Sequence, residues 1–199
     1  MANDTQQHIF EAAKRIFAER GYDGLSMRTL AKDAGITLSV IYHHYPDKDV
    51  LLKCIFDETN TQLGRSRARL SQPENFSAAL LQRIQFQFDH MQDVVFVLKY
   101  YLHYRDDFTK TATGWVPEKA SLHIEEILRA AQVAGELRSD IDCVTEAKVI
   151  THAINGFILE YFPAVPRGKE KARLIRQLHA FIYRSVASQS HREVPMPKA

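Results

Sequence analysis

Leu25-Ser26-Met27-Arg28-Thr29-Leu30-Ala31-Lys32-Asp33-Ala34-Gly35-Ile36-Thr37-Leu38-Ser39-Val40-Ile41-Tyr42-His43-His44-Tyr45-Pro46 predicts two short helices joined by a tight turn. Ser26 is a good N-cap, because its hydroxyl can accept from a free amide of the first turn. Leu25 before it and Leu30 after it stand at the two positions of a hydrophobic staple. The first helix then runs Met27 to Ala34, and Gly35 stops it in the left-handed position that glycine adopts cheaply. Thr37 is the cap expected for the second helix, and Ile36 and Ile41 repeat the staple spacing. Pro46 keeps that helix short, because it biases Tyr45 away from helical angles. Asp47 caps the next helix, expected from Lys48 to about Leu70.

Working outward, the chain reads as all-α. Ile9, Ala12, Ala13, Ile16 and Phe17 form one apolar stripe of a first helix, which Gly21-Tyr22-Asp23-Gly24 ends in a turn. Ser71-Gln72-Pro73 is a break. A helix is expected from about Glu74 to Gln92, and another from Asp93. Residues 106–116 read as a loop. Val116-Pro117 opens a helix ending at Gly135, and Asp142 caps one that carries Ala147, Ile150, Thr151, Ile154, Phe157, Ile158 and Tyr161 on one face. Pro163 to Gly168 is a linker before a basic amphipathic helix from about Lys169 to Ala187. The expected division is a domain over 1–50, a larger helical domain over 51–187 with the helix from 47 to about 70 linking the two, and a tail over 188–199 without fixed structure.

Composition narrows the function. The 199 residues carry a net charge of only +2, so the molecule as a whole is not a polybasic nucleic-acid binder. Residues 1–50 hold six Lys/Arg against seven Asp/Glu, while 165–199 hold eight against two, so any DNA contact comes from a local patch. The two cysteines, Cys54 and Cys143, lie far apart, with no disulfide framework and no zinc spacing, as suits a reducing cytoplasm. The polar N-terminus lacks a signal-peptide core. No apolar run approaches the ~18 residues that span a bilayer.

Two short capped helices on a tight turn can place the second in the major groove while the first crosses the backbone. The detailed string narrows this further. Phe17-Ala18-Glu19-Arg20-Gly21-Tyr22-Asp23-Gly24-Leu25-Ser26-Met27-Arg28-Thr29-Leu30-Ala31, Ala34-Gly35-Ile36-Thr37 and Ile41-Tyr42-His43-His44-Tyr45-Pro46-Asp47-Lys48-Asp49-Val50-Leu51 resemble the start of TetR-family repressors over roughly residues 8–55. Beyond residue 55 only the number, length and order of the helices are similar. Leu38 and Ser39 depart from the family, which often has a polar residue and a glycine there.

The resemblance implies a helix-turn-helix DNA-binding domain followed by a helical effector-binding and dimerisation domain. Ser26 and Thr37, at helix N-termini, are candidate phosphate ligands besides being caps. Tyr42 is similar to the family's phosphate-binding tyrosine, the alternative being a half-buried packing residue. Lys48 looks like the family's phosphate-binding lysine, the alternative being a solvated charge. Arg28, Leu38, Ser39 and His43 are the candidate base readers, since Arg can pair with guanine and Leu can meet a thymine methyl. Val40, Ile41 and Tyr45 are expected to face the core, and His44 to touch the backbone or pack.

In the larger domain, rings gather in one region. Phe86, Phe88, Tyr100, Tyr101, Tyr104 and Trp115, with His90, His103 and His123 as polar handles, are candidates to line an effector pocket, core packing being the alternative for each. The last two helices resemble the family's dimerisation pair. His43 and His44 are adjacent and cannot share a helix face, so no metal is expected there. No nucleophile or phosphate-loop pattern stands out, so neither enzyme activity nor a cofactor is expected. The expected function is a cytoplasmic homodimeric repressor, released from a double-stranded DNA operator by a small-molecule effector. An activator of the same fold is the alternative within that class. A ligand-binding protein that no longer uses its DNA head is the alternative outside it.

Overall fold

The structure is a computed structural model that describes residues 2–70, 73–105 and 117–191. The described residues form helices and no strand; one isolated bridge joins Leu137 to Ala187. Expectations for 106–116, Trp115 among them, and for the tail over 192–199 lie outside the described residues.

The helices are α1 (Ala2–Gly24), α2 (Met27–Ala34), α3 (Leu38–His44), α4 (Lys48–Ala68), α5 (Phe76–Asp89), α6 (Met91–His103), α7 (Pro117–Val133), α8 (Cys143–Tyr161) and α9 (Gly168–Val186). The local signals act largely as chemistry predicts. Gly21 takes a left-handed φ of 71° and interrupts α1. Ser26 caps α2 by accepting from the Thr29 amide, while the Thr29 hydroxyl accepts from the Ser26 amide, a reciprocal capping box. Gly35 ends α2 with φ 68°, where an L side chain would be strained. Asp47 accepts from the Val50 amide at 2.8 Å, and Asp142 accepts from Val144. Thr37 differs: it occupies the N-cap position of α3 with an extended backbone, but its hydroxyl makes no capping bond. Its carbonyl alone opens the helix, accepting from Val40 and Ile41.

One boundary moves. The expected helix from Glu74 to Gln92 is shorter at both ends. Asn75 Oδ1 caps α5 through the Ala78 amide, the Glu136 carboxylate accepts from Phe76 N, and His90 separates α5 from α6.

The chain packs as two units. The first holds α1 to α4 and α6. Its core includes Ile9, Ala13, Ile16 and Phe17 of α1, Leu25 of the turn after it, Leu30 of α2, Ile41 of α3, Leu51, Leu52 and Ile55 of α4, and Val95 and Phe96 of α6. Phe17 and Phe96 meet edge-on at 5.2 Å. Lys14 is buried, and the carboxylates of Glu11 (2.8 Å) and of Asp93 on α6 (3.0 Å) hold its ammonium. Burial disfavours that charge, but the two carboxylates outweigh it and raise the Lys14 pKa above the ordinary lysine value.

The second unit holds α5, α7, α8 and α9. Most of the apolar face of α9 (Leu174, Ile175, Leu178, Ile182, Val186) is buried within the unit, where α9 packs on α5. The buried face of α8 is Ala147, Ile150, Ile154 and Ile158. The apolar faces of α8 and α9 are thus largely hidden, and the large apolar side chains left exposed on them are Val144, Val149 and Phe181. Among the described residues no helix is long and apolar enough to cross a membrane.

Candidate nucleic-acid interface

The first unit displays α3 with one side in and one side out. Ile41 is fully buried and Tyr45 nearly so, its ring against Phe10 and its hydroxyl accepting from Gln6 Nε2 at 2.9 Å. Ile41 within α3 and Tyr45 just past its end thus both lie on the inner side. That leaves Ser39, His43 and Tyr42 outside, with Tyr42 50% exposed. Leu38 and Val40 are half-buried; Val40 thus reaches the core only in part. His44 is exposed and touches the rings of His43 and Tyr45. The short α3 is limited to Leu38–His44, so few side chains are free to meet a base edge.

Helix α2 sits across it and shows Ser26 and Arg28 to solvent, while Met27, Leu30 and Ala31 are buried. An ion pair between Arg15 and Asp33 fastens α2 to α1. Ser26 and Thr37 are exposed at two helix starts, a placement suited to phosphate oxygens.

Lys48 makes contacts that neither reading of the sequence named. Its ammonium donates to the carbonyls of Tyr22 and Leu25, each at 3.0 Å, and lies 3.4 Å from the centre of the Tyr22 ring. The half-buried side chain therefore clamps the α1–α2 turn, using two of three donors. No local sequence pattern announces this, because the partners lie 26 and 23 residues away. Next to it, Asp49 Oδ1 accepts from Tyr22 Oη at 2.7 Å and from Tyr104 Oη, at the end of α6, at 2.5 Å. The hydroxyls of Tyr104 and then Tyr22 hold the Asp49 carboxyl below the ordinary aspartate value. Burial, and then Asp49, push the Tyr104 phenol up.

Residues 9–55 match the family model described as "Bacterial regulatory proteins, tetR family". That stretch is a TetR-family DNA-binding region. The HTH-type transcriptional regulator AcrR of Shigella flexneri is 36% identical over 63 residues, which are 32% of this chain and 29% of AcrR. This chain thus matches less than a third of that relative's length. The HTH-type transcriptional repressor BepR of Brucella suis biovar 1 (strain 1330) is 25% identical over 175 residues, 80% of this chain and 81% of that protein. In fold, the chain is similar to the crystal structure of a gamma-butyrolactone receptor (ArpA like protein). The TM-score is 0.72 at 20% identity, over 96% of this chain and 92% of that one. The expected all-α architecture, a helix-turn-helix head followed by further helices, is thus the TetR fold.

The described residues expected to bind an effector are divided between the two units. Tyr100 is buried in the head unit and stacks on Phe56 at 4.2 Å, near Phe17 and Phe96. Tyr104 packs on Tyr100 at 4.5 Å, and His103 stacks on Tyr22 at 4.0 Å. His90 and Tyr101 are half-buried in the same unit. Phe86 and Phe88 are buried in the second unit, where His123, half-buried, lies 3.6 Å from Glu126.

Proposed function

We propose that this chain is a TetR-family DNA-binding transcriptional regulator, acting as a homodimeric cytoplasmic repressor released from its operator by a small-molecule effector. The observation that carries the DNA reading is the division of α3: Ile41 and Tyr45 lock it inward while Ser39, Tyr42 and His43 stand exposed on the outer side. In a helix-turn-helix that outer side enters the major groove. On this reading Leu38, Ser39, His43 and Arg28 meet base edges. Ser26, Thr37, Tyr42 and the remaining donor of Lys48 meet phosphates. The names of BepR, a repressor, and AcrR, a regulator, support the same reading.

The DNA-facing helices end before residue 50; α4 and α6 pack with them, which leaves α5 and α7 to α9 for effector binding and dimerisation. Phe181, 72% exposed on α9, together with Val144 and Val149 exposed on α8, supports a second copy as partner, since these are large apolar side chains that a second chain could cover. The fold neighbour named as a gamma-butyrolactone receptor supports a small-molecule effector. Its chemistry for this chain rests on the second unit, where Phe86, Phe88 and His123 lie.

The test is a gel shift with the DNA upstream of the protein's own coding sequence. A retarded band at 100 mM salt that competitor DNA of unrelated sequence does not remove is the expected result. A band that any DNA removes equally shows charge attraction alone, and refutes specific regulation.

A further inference from the structure

Polar side chains lie buried in the second unit. Arg83 and Gln87 are buried on α5, and Thr151 is buried on α8. Three hydrogen bonds place them. The Glu136 carboxylate accepts from Phe76 N at the start of α5. Cys143 Sγ, at the start of α8, donates at 3.4 Å to Gln132 Oε1, in the last turn of α7 just before Glu136. Helices α5 and α8 therefore start at one end of the unit and run the same way. Farther along both, Gln87 Nε2 donates to Asn155 Oδ1 at 3.0 Å. One turn back on each helix, on the same faces, stand Arg83 and Thr151. The two thus share one level of the α5–α8 seam. Helix α7, which ends where they begin, packs against both.

A guanidinium keeps its charge in a protein interior and offers donors in a planar fork that fits a carboxylate. Thr151 is 4% exposed, and among the described residues its hydroxyl has no hydrogen-bond partner. A helical threonine can return its hydroxyl to the carbonyl one turn back; Thr151 does not, and a dry hydroxyl costs free energy that valine in its place would avoid. Resting on the reading of this unit as the effector-binding one, we propose that it binds an organic carboxylate with an apolar body as its effector, the carboxylate held by Arg83 and the Thr151 hydroxyl between α5 and α8. The Gln87–Asn155 bond ties the two helices together one turn away and holds that level in register. Ile124 and Leu128 of α7, with Ile150 and Ile154 of α8, are buried in the same unit and supply apolar surface for the body. The site discriminates by charge and by donors. A primary amide of the same shape presents one acceptor atom where the carboxylate presents two, and turns an NH2 donor toward the guanidinium.

The test uses the full chain with octanoate, phenylacetate and 3-phenylpropionate, each beside its primary amide, and reads binding by thermal melting and calorimetric titration. Wild type should be stabilised by at least one acid and bind it about tenfold tighter than its amide. Thr151→Val should melt no lower than wild type without ligand, yet bind that acid about tenfold more weakly, the loss of one hydrogen bond to a charged group. Arg83→Met keeps the stem, removes the charge, and should bring acid and amide to equal affinity. Melting curves show that each variant is folded at the assay temperature, and Thr151→Val decides the matter if Arg83→Met is not. An acid and amide bound alike by wild type, no acid bound, or an unchanged acid affinity in Thr151→Val overturns the inference. Adding the acid to the complex with a duplex that wild type enriches from a random-sequence pool separates this from the effector reading. Release of the duplex by the acid, lost in Thr151→Val at the same concentration, supports both. An amide or an amine that releases the duplex while the acids do not leaves the effector reading standing and removes the carboxylate site.

Discussion

Replacing Lys48 by Met keeps an unbranched apolar stem on the Tyr22 ring and deletes the ammonium. The structure gives that ammonium two bonds to main-chain carbonyls at 3.0 Å and a ring contact at 3.4 Å. A hydrogen bond from a charged donor contributes about 1.5–3 kcal/mol net when shielded. Lys48 is half-buried, so water competes for both bonds and the pair together is worth about 1.5 kcal/mol, with the ring adding about 0.5 kcal/mol. Lys48→Met should therefore destabilise the head by about 2 kcal/mol. For a urea slope near 2 kcal/mol/M this lowers the midpoint by about 1 M. The phosphate role is a separate quantity. If the third donor meets DNA, the slope of log K against log salt falls by about 0.9. Urea titration followed by circular dichroism reads the first, and anisotropy titration at several salt concentrations reads the second. An unchanged urea midpoint would refute the turn clamp, whatever the DNA result; a lower midpoint with an unchanged salt slope would confine Lys48 to the clamp.

Phe96→Ala, in the core where α6 meets α1, should cost about 3–5 kcal/mol, and unfolding that reports on α2 and α3 amides should show it. Loss confined to the second unit would contradict the placing of α6 in the head. The imidazole of His179 is buried, with Nε2 at 3.0 Å from the Ser77 carbonyl oxygen, and burial lowers its pKa despite that bond. The unfolded chain therefore takes up a proton first. Stability from this site is full above about pH 6.5 and is lost as pH falls from there toward the lowered folded value. His179→Gln should flatten that part of the stability profile, and equal profiles for the two proteins would remove His179 as its source. Phe181→Glu should leave the fold intact and yield a monomer in light scattering at micromolar concentration; an unchanged dimer would place the contact elsewhere.

The head was legible because its signals are local. Ser26, Leu25, Leu30 and Gly35 act within one or two turns of chain, and Asp47 and Asp142 cap the helices that follow them. Gly135, with φ 74°, likewise ends its helix where expected. The division of α3 followed from Ile41 and Tyr45 standing four apart. What escaped the sequence was long-range. The Lys14–Asp93 pair spans 79 residues, and Tyr104 reaches Asp49 across 55. A charged residue beside the apolar stripe of α1, and polar residues at positions 93, 99 and 103 between the rings of α6, were the only traces of that packing. The aromatic run from Phe86 onward suggested a pocket by composition alone. Composition cannot say that Tyr100 would stack on Phe56 while Phe86 and Phe88 turned into a different unit. The break at His90 carries no glycine or proline, so tertiary packing decides it. Thr37 had the right residue type for a cap, yet its hydroxyl makes no capping bond.

Selection of random-sequence duplexes by the wild-type protein tests the central claim most directly. A two-fold dimer presenting α3 predicts enriched pseudo-palindromes whose half-sites lie on one face of the duplex. Exchanging Leu38, Ser39 and His43 for other residues should then change the preferred bases at fixed half-site positions, at about 1–3 kcal/mol for each mismatched position. Enrichment of no sequence, or of the same motif by wild type and the exchanged variant, would contradict the account.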